Sequence, residues 1–346
     1  MMCKAKPRLV IMYDSSNKGY AVGAGLNFAR DFYYPALSQH FDLAFYDADL
    51  TYAANTVFLH DAYHEQSRLL IPQQLEQGHR VILHSPTERK TNPSPFEAGL
   101  AWAMMHPTQV YWILSGNDLR HWPKIQHCEV PFWFWLCEQY GETYLHYRPQ
   151  SQVDKKFLCL MNNPHRHRHY LWQQLDHHGL RDHGIVSFRG RGIVLEDEPP
   201  SPIDVWLDRV INTSWFDRTA ISLVSETDVA SDTGRTPWLT EKTTKCLMMQ
   251  HPFLLQGQPG SLDLLHSFGF ETFPELWDES YDLECDWQQR TQRLIHIVKN
   301  FDTDTVRDPQ IQQKLCHNRE LFWNRDVTAG WFEQSVIMPL LEWVNA

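Results

Sequence analysis

The sequence predicts two α/β domains, and three observations support this fold class. Short apolar segments alternate with longer amphipathic ones, a pattern typical of βαβ units built on a parallel sheet. The chain has 346 residues, more than one compact core usually contains. A polar segment at 142–156 interrupts the alternation, which then begins again. We therefore expect an amino-terminal domain over 1–150, a second domain over 151–318 and a carboxy-terminal helix over 319–346.

The first domain is expected to form a parallel sheet with helices between its strands. Apolar runs predict strands, and apolar residues at helical spacing predict helices at 26–41 and 65–77, the second of which ends at Gly78. The glycines at 19–25 match only part of a dinucleotide-binding fingerprint. The predicted strands of this domain are 8–13, 41–46, 56–59, 80–84, 110–114 and 131–136.

The second domain repeats the alternation after the polar segment. Its predicted strands are 156–161, 184–188, 220–225 and 252–256, and its predicted helices are 167–178, 202–212, 240–250 and 261–268. Apolar residues at helical spacing continue to the end of the chain, which predicts a last helix that packs back on the first domain. The pattern as a whole predicts two Rossmann-like domains that face a central cleft.

Charge and composition exclude several classes of protein. Lysine and arginine number 31 and acidic residues 42, a net charge of −11, which argues against a protein that binds the nucleic-acid backbone. No apolar run is long enough to span a membrane, and residues 1–8 are not followed by a secretory apolar segment. The seven cysteines are scattered without a CxxC pair, as in reduced proteins. We therefore expect a cytoplasmic protein.

The segment at 238–245 has the residues of an anion and hydroxyl site. Thr240 is suited to cap a helix, and a helix start offers free N–H groups and a positive dipole end to a phosphate. Lys242 and Lys245 add positive charge there, while the Glu241 carboxylate suits the hydroxyls of a ribose. The alternative is a capped surface helix with solvated lysines.

Two further segments place polar residues at the ends of predicted strands. Asn162, Arg166 and Arg168 follow the strand at 156–161, and an Asn- and Arg-rich loop at a helix start binds anions. The alternative is a basic helix start whose charge Asp176 offsets. Ser225 and Glu226 end the strand at 220–225, where ligands of open α/β sheets bind; an ordinary connection is the other interpretation.

These segments, taken in order, resemble a known family. The matching stretches are Lys-Lys-Phe-Leu-Cys-Leu-Met-Asn-Asn-Pro-His-Arg-His-Arg-His-Tyr-Leu at 155–171, Thr-Ala-Ile-Ser-Leu-Val-Ser-Glu-Thr-Asp at 219–228, Thr-Glu-Lys-Thr at 240–243, His-Pro-Phe-Leu-Leu at 251–255, Leu-Leu-His-Ser-Phe-Gly-Phe-Glu-Thr-Phe at 264–273 and Trp-Asp-Glu-Ser-Tyr-Asp at 277–282. They are similar to the carboxy-terminal domain of fucosyltransferase-like (family 10-type) glycosyltransferases. The resemblance covers roughly 155–290 and not the amino-terminal half.

The resemblance implies a fold, a reaction and roles for residues. It implies the GT-B fold, with the donor nucleotide bound by the second domain and no metal ion or other cofactor required. It also implies that Glu241 contacts the ribose and Lys242 the diphosphate. The family's arginine best matches Arg168, with Arg166 as the close alternative.

The amino-terminal half is expected to supply the catalytic base. An inverting transfer needs a carboxylate or a histidine to deprotonate the acceptor hydroxyl. Asp14, Asp61 and Glu88 each follow a predicted strand and are the candidates. Each is also of a residue type common in caps and turns, and the sequence does not choose among them.

Motifs for other chemistries are incomplete. His60 and His64 have the spacing of zinc ligands on a helix but lack the glutamate of HExxH, and arginines interrupt the histidines at 165–169. Asp47-Ala-Asp49 and Asp302-Thr-Asp304 do not stand at suitable strand ends for a metal-dependent donor site. No GxSxG elbow or P-loop is present.

The sequence thus predicts a metal-independent, inverting glycosyltransferase. Its expected partners are a nucleotide-sugar donor, for which a GDP-linked sugar is one candidate, and a glycan or other hydroxyl-bearing acceptor. The alternative is a non-catalytic protein that binds a nucleotide or a glycan in the same cleft.

Overall fold

The computed structural model describes residues 6–12, 34–53, 56–61, 65–85, 93–114, 124–129, 144–149, 152–195, 211–230 and 237–346, without the side chains of 34, 35, 61–68, 85 and 93–98. The chain divides into two compact units. Unit 1 comprises Met1–Phe132 and Ala329–Ala346, and unit 2 comprises Trp133–Thr328. Both units are mixed α/β structures with a parallel sheet, so the α/β class expected from the sequence is confirmed.

Unit 1 is built on a six-stranded sheet in the order β2-β1-β3-β4-β5-β6. All neighbouring strands in it are parallel. The strands are β1 (Arg8–Ile11), β2 (Asp42–Phe45), β3 (Val57–Asp61), β4 (Arg80–Ser85), β5 (Val110–Leu114) and β6 (Gln126–Glu129). Its first helices are α1 (Tyr34–His40), α2 (Glu65–Glu76) and α3 (Pro93–Met105).

The core of unit 1 forms where the central strands meet α2 and α3. Leu83 and Trp112 are register partners on β4 and β5, and both are fully buried. Ile71 of α2 and Ala103 of α3 belong to the same apolar cluster. Strands buried on both faces need continuous apolar runs, which explains the Val-Tyr-Trp-Ile-Leu sequence of β5.

Unit 2 is built on a four-stranded parallel sheet in the order β10-β9-β7-β8. Its strands are β7 (Lys155–Met161), β8 (Gly184–Phe188), β9 (Thr219–Ser225) and β10 (Phe253–Gln256). Every residue of β9 is buried. Because β8 lies on one side of β7 and β9 on the other, the direction of the strand order reverses between β7 and β9. Such a reversal opens a crevice at the carboxyl ends of the two strands.

The helices of unit 2 surround this sheet. They are α4 (Arg166–His177), α5 (Thr213–Arg218), α6 (Glu241–Met248), α7 (Ser261–Ser267), α8 (Trp287–Asn300) and α9 (Pro309–Phe322). α8 begins where the Asp286 side chain accepts from the backbone N–H groups of Gln288 and Gln289, and it buries Leu294 and Val298. The strand predicted at 131–136 lies outside the described residues, as does nearly all of the helix predicted at 202–212.

The segment predicted as one helix over 319–346 is interrupted. α9 ends at Phe322, and α10 (Arg325–Phe332) begins after Asn324, whose side-chain oxygen accepts from two backbone N–H groups of the next turn. A π-helical turn, Glu333–Ile337, leads into α11 (Met338–Asn345). The correction has a local cause, because an asparagine cap restarts the backbone without changing the apolar spacing.

The carboxy-terminal segment belongs to unit 1. The Arg80 guanidinium at the start of β4 donates to the carbonyls of Trp343 (3.0 Å) and Val344, near the end of α11. The rings of Trp343 and Tyr111 lie 5.2 Å apart. A cation at the carboxyl end of a helix satisfies free carbonyls and complements the helix dipole. None of the described helices has the length and apolarity that crossing a bilayer would require.

Candidate functional site

The candidate site lies at the carboxyl ends of β7 and β9. Residues 162–165 follow β7 and lead into α4, and residues 226–230 follow β9. α6 begins with its first turn against the second of these loops, as the contacts of Glu226 show. Two helix starts and two strand ends therefore surround the crevice of unit 2, which is where ligands of open α/β sheets bind.

Glu226 holds the first turn of α6. Its side chain is fully buried, and Oε1 accepts from the backbone N–H of Thr240 (3.1 Å) and from the Thr243 hydroxyl (2.5 Å). Oε2 accepts from the Thr240 hydroxyl at 2.5 Å. Both carboxylate oxygens are occupied by protein donors. Glu226 was predicted to bind the donor, but its oxygens bond to Thr240 and Thr243. Its role in the candidate site is therefore to fix the first turn of α6.

Glu241 is the first residue of α6 and is only 4% exposed. Its Oε1 accepts from the Lys242 ammonium at 2.6 Å, while Oε2 is buried and has no hydrogen-bond partner among the described residues. Burial would raise the pKa of this carboxyl, but the charges of Lys242 and Lys245 outweigh it and hold the pKa below its usual value. The group is therefore a charged carboxylate with one oxygen unused.

The Lys242 ammonium is surrounded by three oxygen acceptors. Besides Glu241 Oε1, it donates to the Thr240 hydroxyl oxygen (3.0 Å) and to the Thr227 hydroxyl oxygen (3.4 Å). Burial would lower the pKa of this lysine, but the nearby carboxylates of Glu241 and Glu226 outweigh burial and raise it. Lys242 and Glu241 consequently form a charged pair in a largely buried setting.

Lys245 lies one turn further along α6. It is half-buried, and within the described part of the chain it makes no hydrogen bond or ion pair. Its positive charge is close enough to Glu241 to help lower the pKa of that carboxyl. Lys245 is thus a cation beside the site whose donors are not engaged.

Arg168 ties the two loops of the site together. It is 1% exposed and donates to the carbonyls of Asn163 (3.2 Å), Ser225 (3.1 Å) and Glu226 (3.2 Å). Arg168, predicted as a donor-binding residue, thus directs its guanidinium to backbone carbonyls of the two loops.

The histidines around Arg168 were not among the predicted site residues. His167 Nε2 also donates to the Glu226 carbonyl (2.9 Å), and burial followed by the charge of Arg168 lowers its pKa to about 3. His165 precedes α4, and its ring stacks on that of His167 at 5.5 Å. Burial, Arg168 and Lys242 lower the pKa of His165, which favours the neutral form of its ring. The alternating His-Arg run at 165–169 was the sequence signal for both.

The remaining predicted donor-binding residues divide into an exposed and a buried group. Asn162 is exposed directly after β7, and Arg166 is exposed as the first residue of α4, with its guanidinium 5.9 Å from the centre of the Trp287 ring. Ser225 is buried, and its hydroxyl donates to Gln256 Oε1 at 2.7 Å. The Gln256 amide in turn donates to the Thr291 hydroxyl (2.7 Å), so Ser225 joins β9 to β10 and α8 and does not face solvent.

The structure describes the side chain of none of the three candidate bases. Asp14 and Glu88 lie outside the described residues. Asp61 is the last residue of β3, opposite His84 in the register of the sheet, and its side chain is not described. The identity of the base stays a prediction.

The motifs considered for metals have other partners. His60 Nε2 lies 2.5 Å from Gln74 Oε1, and burial lowers the pKa of this histidine to about 4. The Asp47 and Asp302 carboxylates accept from the N–H groups of Asp49 (2.9 Å) and Asp304 (3.1 Å), as turn and cap residues do. Among the described side chains, no group of three or more His, Cys, Asp or Glu residues is placed to hold a metal ion.

Comparison with known proteins identifies no family for the chain. The chain matches no protein-family model, and no curated protein matches it.

Proposed function

We propose that the protein is a metal-independent, inverting glycosyltransferase that binds a nucleotide-sugar donor at the start of α6. The observation that supports this most is the Glu241 carboxylate, which is charged, almost fully buried and has one oxygen without a described partner. It stands at a helix start beside two lysines, at the carboxyl edge of a parallel sheet. GT-B is the architecture that this proposal implies.

The unused oxygen of Glu241 suits a ligand hydroxyl. A buried acceptor without a donor costs about 1–3 kcal/mol, and a hydroxyl that donates to Oε2 would remove that cost. A ribose carries two adjacent hydroxyls. The charged state of Glu241 strengthens such a bond, because hydrogen bonds to ionised acceptors are shorter and stronger than neutral ones.

The positive groups around α6 suit the phosphates of the same ligand. Free backbone N–H groups and the dipole of a helix start attract anions, and two lysines add their charge. When the sugar leaves, negative charge develops on the nucleoside diphosphate. Fixed cations can stabilise that charge in the role that a metal ion has in other transferases.

A non-catalytic binding protein is the second candidate. Glu226, the carboxylate behind α6, has both oxygens engaged by Thr240 and Thr243 and so is not available to deprotonate an acceptor. For a transferase, the candidates for the base are Asp14, Asp61 and Glu88. If none of these serves, the same site would bind a nucleotide without turnover.

The first experiment is a thermal-shift screen of nucleoside diphosphates and sugar nucleotides in EDTA. A ligand at a hundred times its Kd should stabilise the protein by about 2.7 kcal/mol. We expect one base to give a shift that Glu241→Ala loses and that Glu320→Ala, at an exposed position on α9, retains. No shift with any nucleotide would contradict the proposal.

A second measurement separates the two candidates. The sugar nucleotide that binds is incubated in EDTA with a panel of glycans, and the released nucleoside diphosphate is quantified. Release that Asp14→Asn, Asp61→Asn or Glu88→Gln abolishes, with binding retained, indicates a transferase. Binding without release across the panel indicates the non-catalytic alternative.

A further inference from the structure

We infer that Lys245, and not Lys242, is the cation that bonds to the phosphates, and that Lys242 is a positioning residue for Glu241. This assignment rests on the proposed function and departs from the role that the resemblance implies for Lys242. It follows from counting donors and acceptors around the two ammonium groups.

Lys242 has no unused proton. An ammonium group has three N–H donors, and Lys242 directs them to Glu241 Oε1 (2.6 Å), Thr240 Oγ1 (3.0 Å) and Thr227 Oγ1 (3.4 Å). A phosphate oxygen would have to displace one of these protein oxygens. The two shorter bonds are the ones that hold Lys242 against Glu241.

Glu226 determines the direction of the hydrogen bond between Lys242 and Thr240. A threonine hydroxyl has one proton, and Thr240 gives it to Glu226 Oε2, so towards Lys242 its oxygen can only accept. Glu226 Oε1 is already bonded to the Thr240 N–H and the Thr243 hydroxyl. The buried carboxylate thus fixes the direction of the bonds that hold Lys242, and Lys242 in turn fixes Glu241.

Lys245, unlike Lys242, has donors that the described residues do not engage. It follows Glu241 by four residues, so the two side chains lie on the same face of α6. Helical side chains lean towards the helix start, which brings the Lys245 stem towards the end of α6 where Glu241 stands. The described part of the chain offers its ammonium no hydrogen-bond or ion-pair partner, and the side chain is half-buried. As far as the described residues go, its three donors are unengaged and can bond to an anion beside the unused oxygen of Glu241.

The two lysines should therefore affect different parts of a ligand. Removing Lys242 frees Glu241 to move, which weakens binding of the hydroxyls and so affects any nucleotide with the same ribose. Removing Lys245 takes away a phosphate contact and affects only ligands that carry phosphate.

The test compares Lys245→Met with Lys242→Met, since methionine keeps an unbranched side chain without the charge. Isothermal titration gives Kd values for the nucleoside diphosphate that shifts the wild type most, its monophosphate and its nucleoside. For Lys245→Met we expect the Kd for the diphosphate to rise about tenfold and the Kd for the nucleoside to stay within about twofold of the wild-type value. For Lys242→Met we expect nucleoside and diphosphate to weaken by the same factor.

Two results would overturn the inference while leaving the proposed function intact. One is a loss of diphosphate affinity, but not nucleoside affinity, in Lys242→Met. The other is an unchanged diphosphate Kd in Lys245→Met. If the wild type binds no nucleotide at all, the proposed function fails and the assignment fails with it.

A measurement on the wild-type protein tests the assignment even if Lys242→Met does not fold. Limited acetylation followed by peptide mass spectrometry ranks the lysines by reactivity, with exposed Lys299 of α8 as the reference. Lys245 should react before Lys242, whose protons are engaged, and the diphosphate should protect Lys245. Faster modification of Lys242 would contradict the assignment.

Discussion

The Glu226 carboxylate lies at the centre of the bonds that hold the first turn of α6. Three donors from Thr240 and Thr243 meet its two oxygens, and its own carbonyl accepts from His167 and Arg168. A buried charge is tolerated only when it is paired or hydrogen-bonded, and here the donors are fixed by a helix start. At the scale of single residues, Glu226 therefore joins β9, α4 and α6.

Glu226→Gln should destabilise the protein. Glutamine has one acceptor oxygen, and its amide group would face donors that now bond to the carboxylate. We expect a loss of about 2–4 kcal/mol in the free energy of unfolding, measured by urea denaturation. Glu320→Gln, at an exposed position, is the control and should change it by less than about 0.5 kcal/mol.

The contribution of the hydrogen bond from Thr243 to Glu226 can be tested without removing the charge of Glu226. Thr243→Ser keeps the hydroxyl that donates to Glu226 and should be close to wild type, while Thr243→Val removes it at nearly constant shape. Equal stability of the two variants would show that the hydroxyl contributes nothing.

At this scale the sequence predicted the residue types of the site but not the direction of each side chain. Thr240, Glu241 and Lys242 meet as expected from a capped helix start. Arg168 and Ser225, by contrast, bond inward to backbone carbonyls and to Gln256. Sequence spacing places a residue on an element, but its hydrogen-bond partner comes from another element.

The elements around the site are locked by close backbone contact. Gly190 follows β8, and its N–H donates to the Asn162 carbonyl at 2.8 Å. A Cβ at this position would lie 2.8 Å from that same carbonyl oxygen and 2.8 Å from the Pro164 ring. Only glycine lets the turn after β8 lie against the loop after β7, which leads into α4.

Gly190→Ala should separate these two loops. Neither a backbone carbonyl nor a proline ring can yield cheaply, so we expect a loss of about 1–3 kcal/mol in the free energy of unfolding and faster amide exchange at 162–165. Gly330→Ala is the matched control, because a Cβ added there would have no atom within 4 Å and the residue stands inside α10. Alanine there should stabilise by about 0.5–1 kcal/mol. Losses of similar size in both variants would contradict the close-contact argument.

Elements were predicted best where apolar spacing alone defines them. The predicted strands 110–114 and 184–188 have the observed bounds, and the strand predicted at 156–161 begins one residue earlier, at Lys155. The interruption at Asn324 was missed because a cap acts on backbone N–H groups and leaves the apolar spacing unchanged.

Both units bury histidines in their cores. His60 and His84 lie in unit 1, and burial lowers their pKa to about 4 and about 3. His167 and His251 lie in unit 2 with pKa values of about 3 and about 4, again chiefly because of burial. His251 bonds to the Ser222 hydroxyl at 2.8 Å. All four are neutral in the folded protein at neutral pH.

The protein should therefore lose stability in mild acid. A histidine whose folded pKa lies below the unfolded value of 6.5 binds protons more readily when unfolded, so its contribution is complete above pH 6.5 and is lost as the pH falls towards 4–3. One pKa unit corresponds to about 1.4 kcal/mol, so each contributes at most about 3–5 kcal/mol. Urea denaturation between pH 8 and pH 4 measures the fall. His251→Gln should make it shallower, and exposed His183→Gln should leave it unchanged. A wild-type profile flat from pH 7 to pH 5 would contradict this prediction.

The sequence by itself determined the α/β class, every described strand except β6 within a few residues, and the residue types at the start of α6. Each of these depends on spacing along the chain, which local hydrogen bonds and apolar periodicity translate directly into helices and strands. Only the tertiary structure decided that the carboxy-terminal part of unit 1 begins at Ala329, that Arg168 bonds to carbonyls, and that Lys242 is enclosed while Lys245 is not. The first two features depend on groups far apart in the chain, which meet only when the strands have taken their order in the sheet. Lys242 bonds to its neighbours Thr240 and Glu241, and its third acceptor, Thr227, follows β9 and is 15 residues away in the chain.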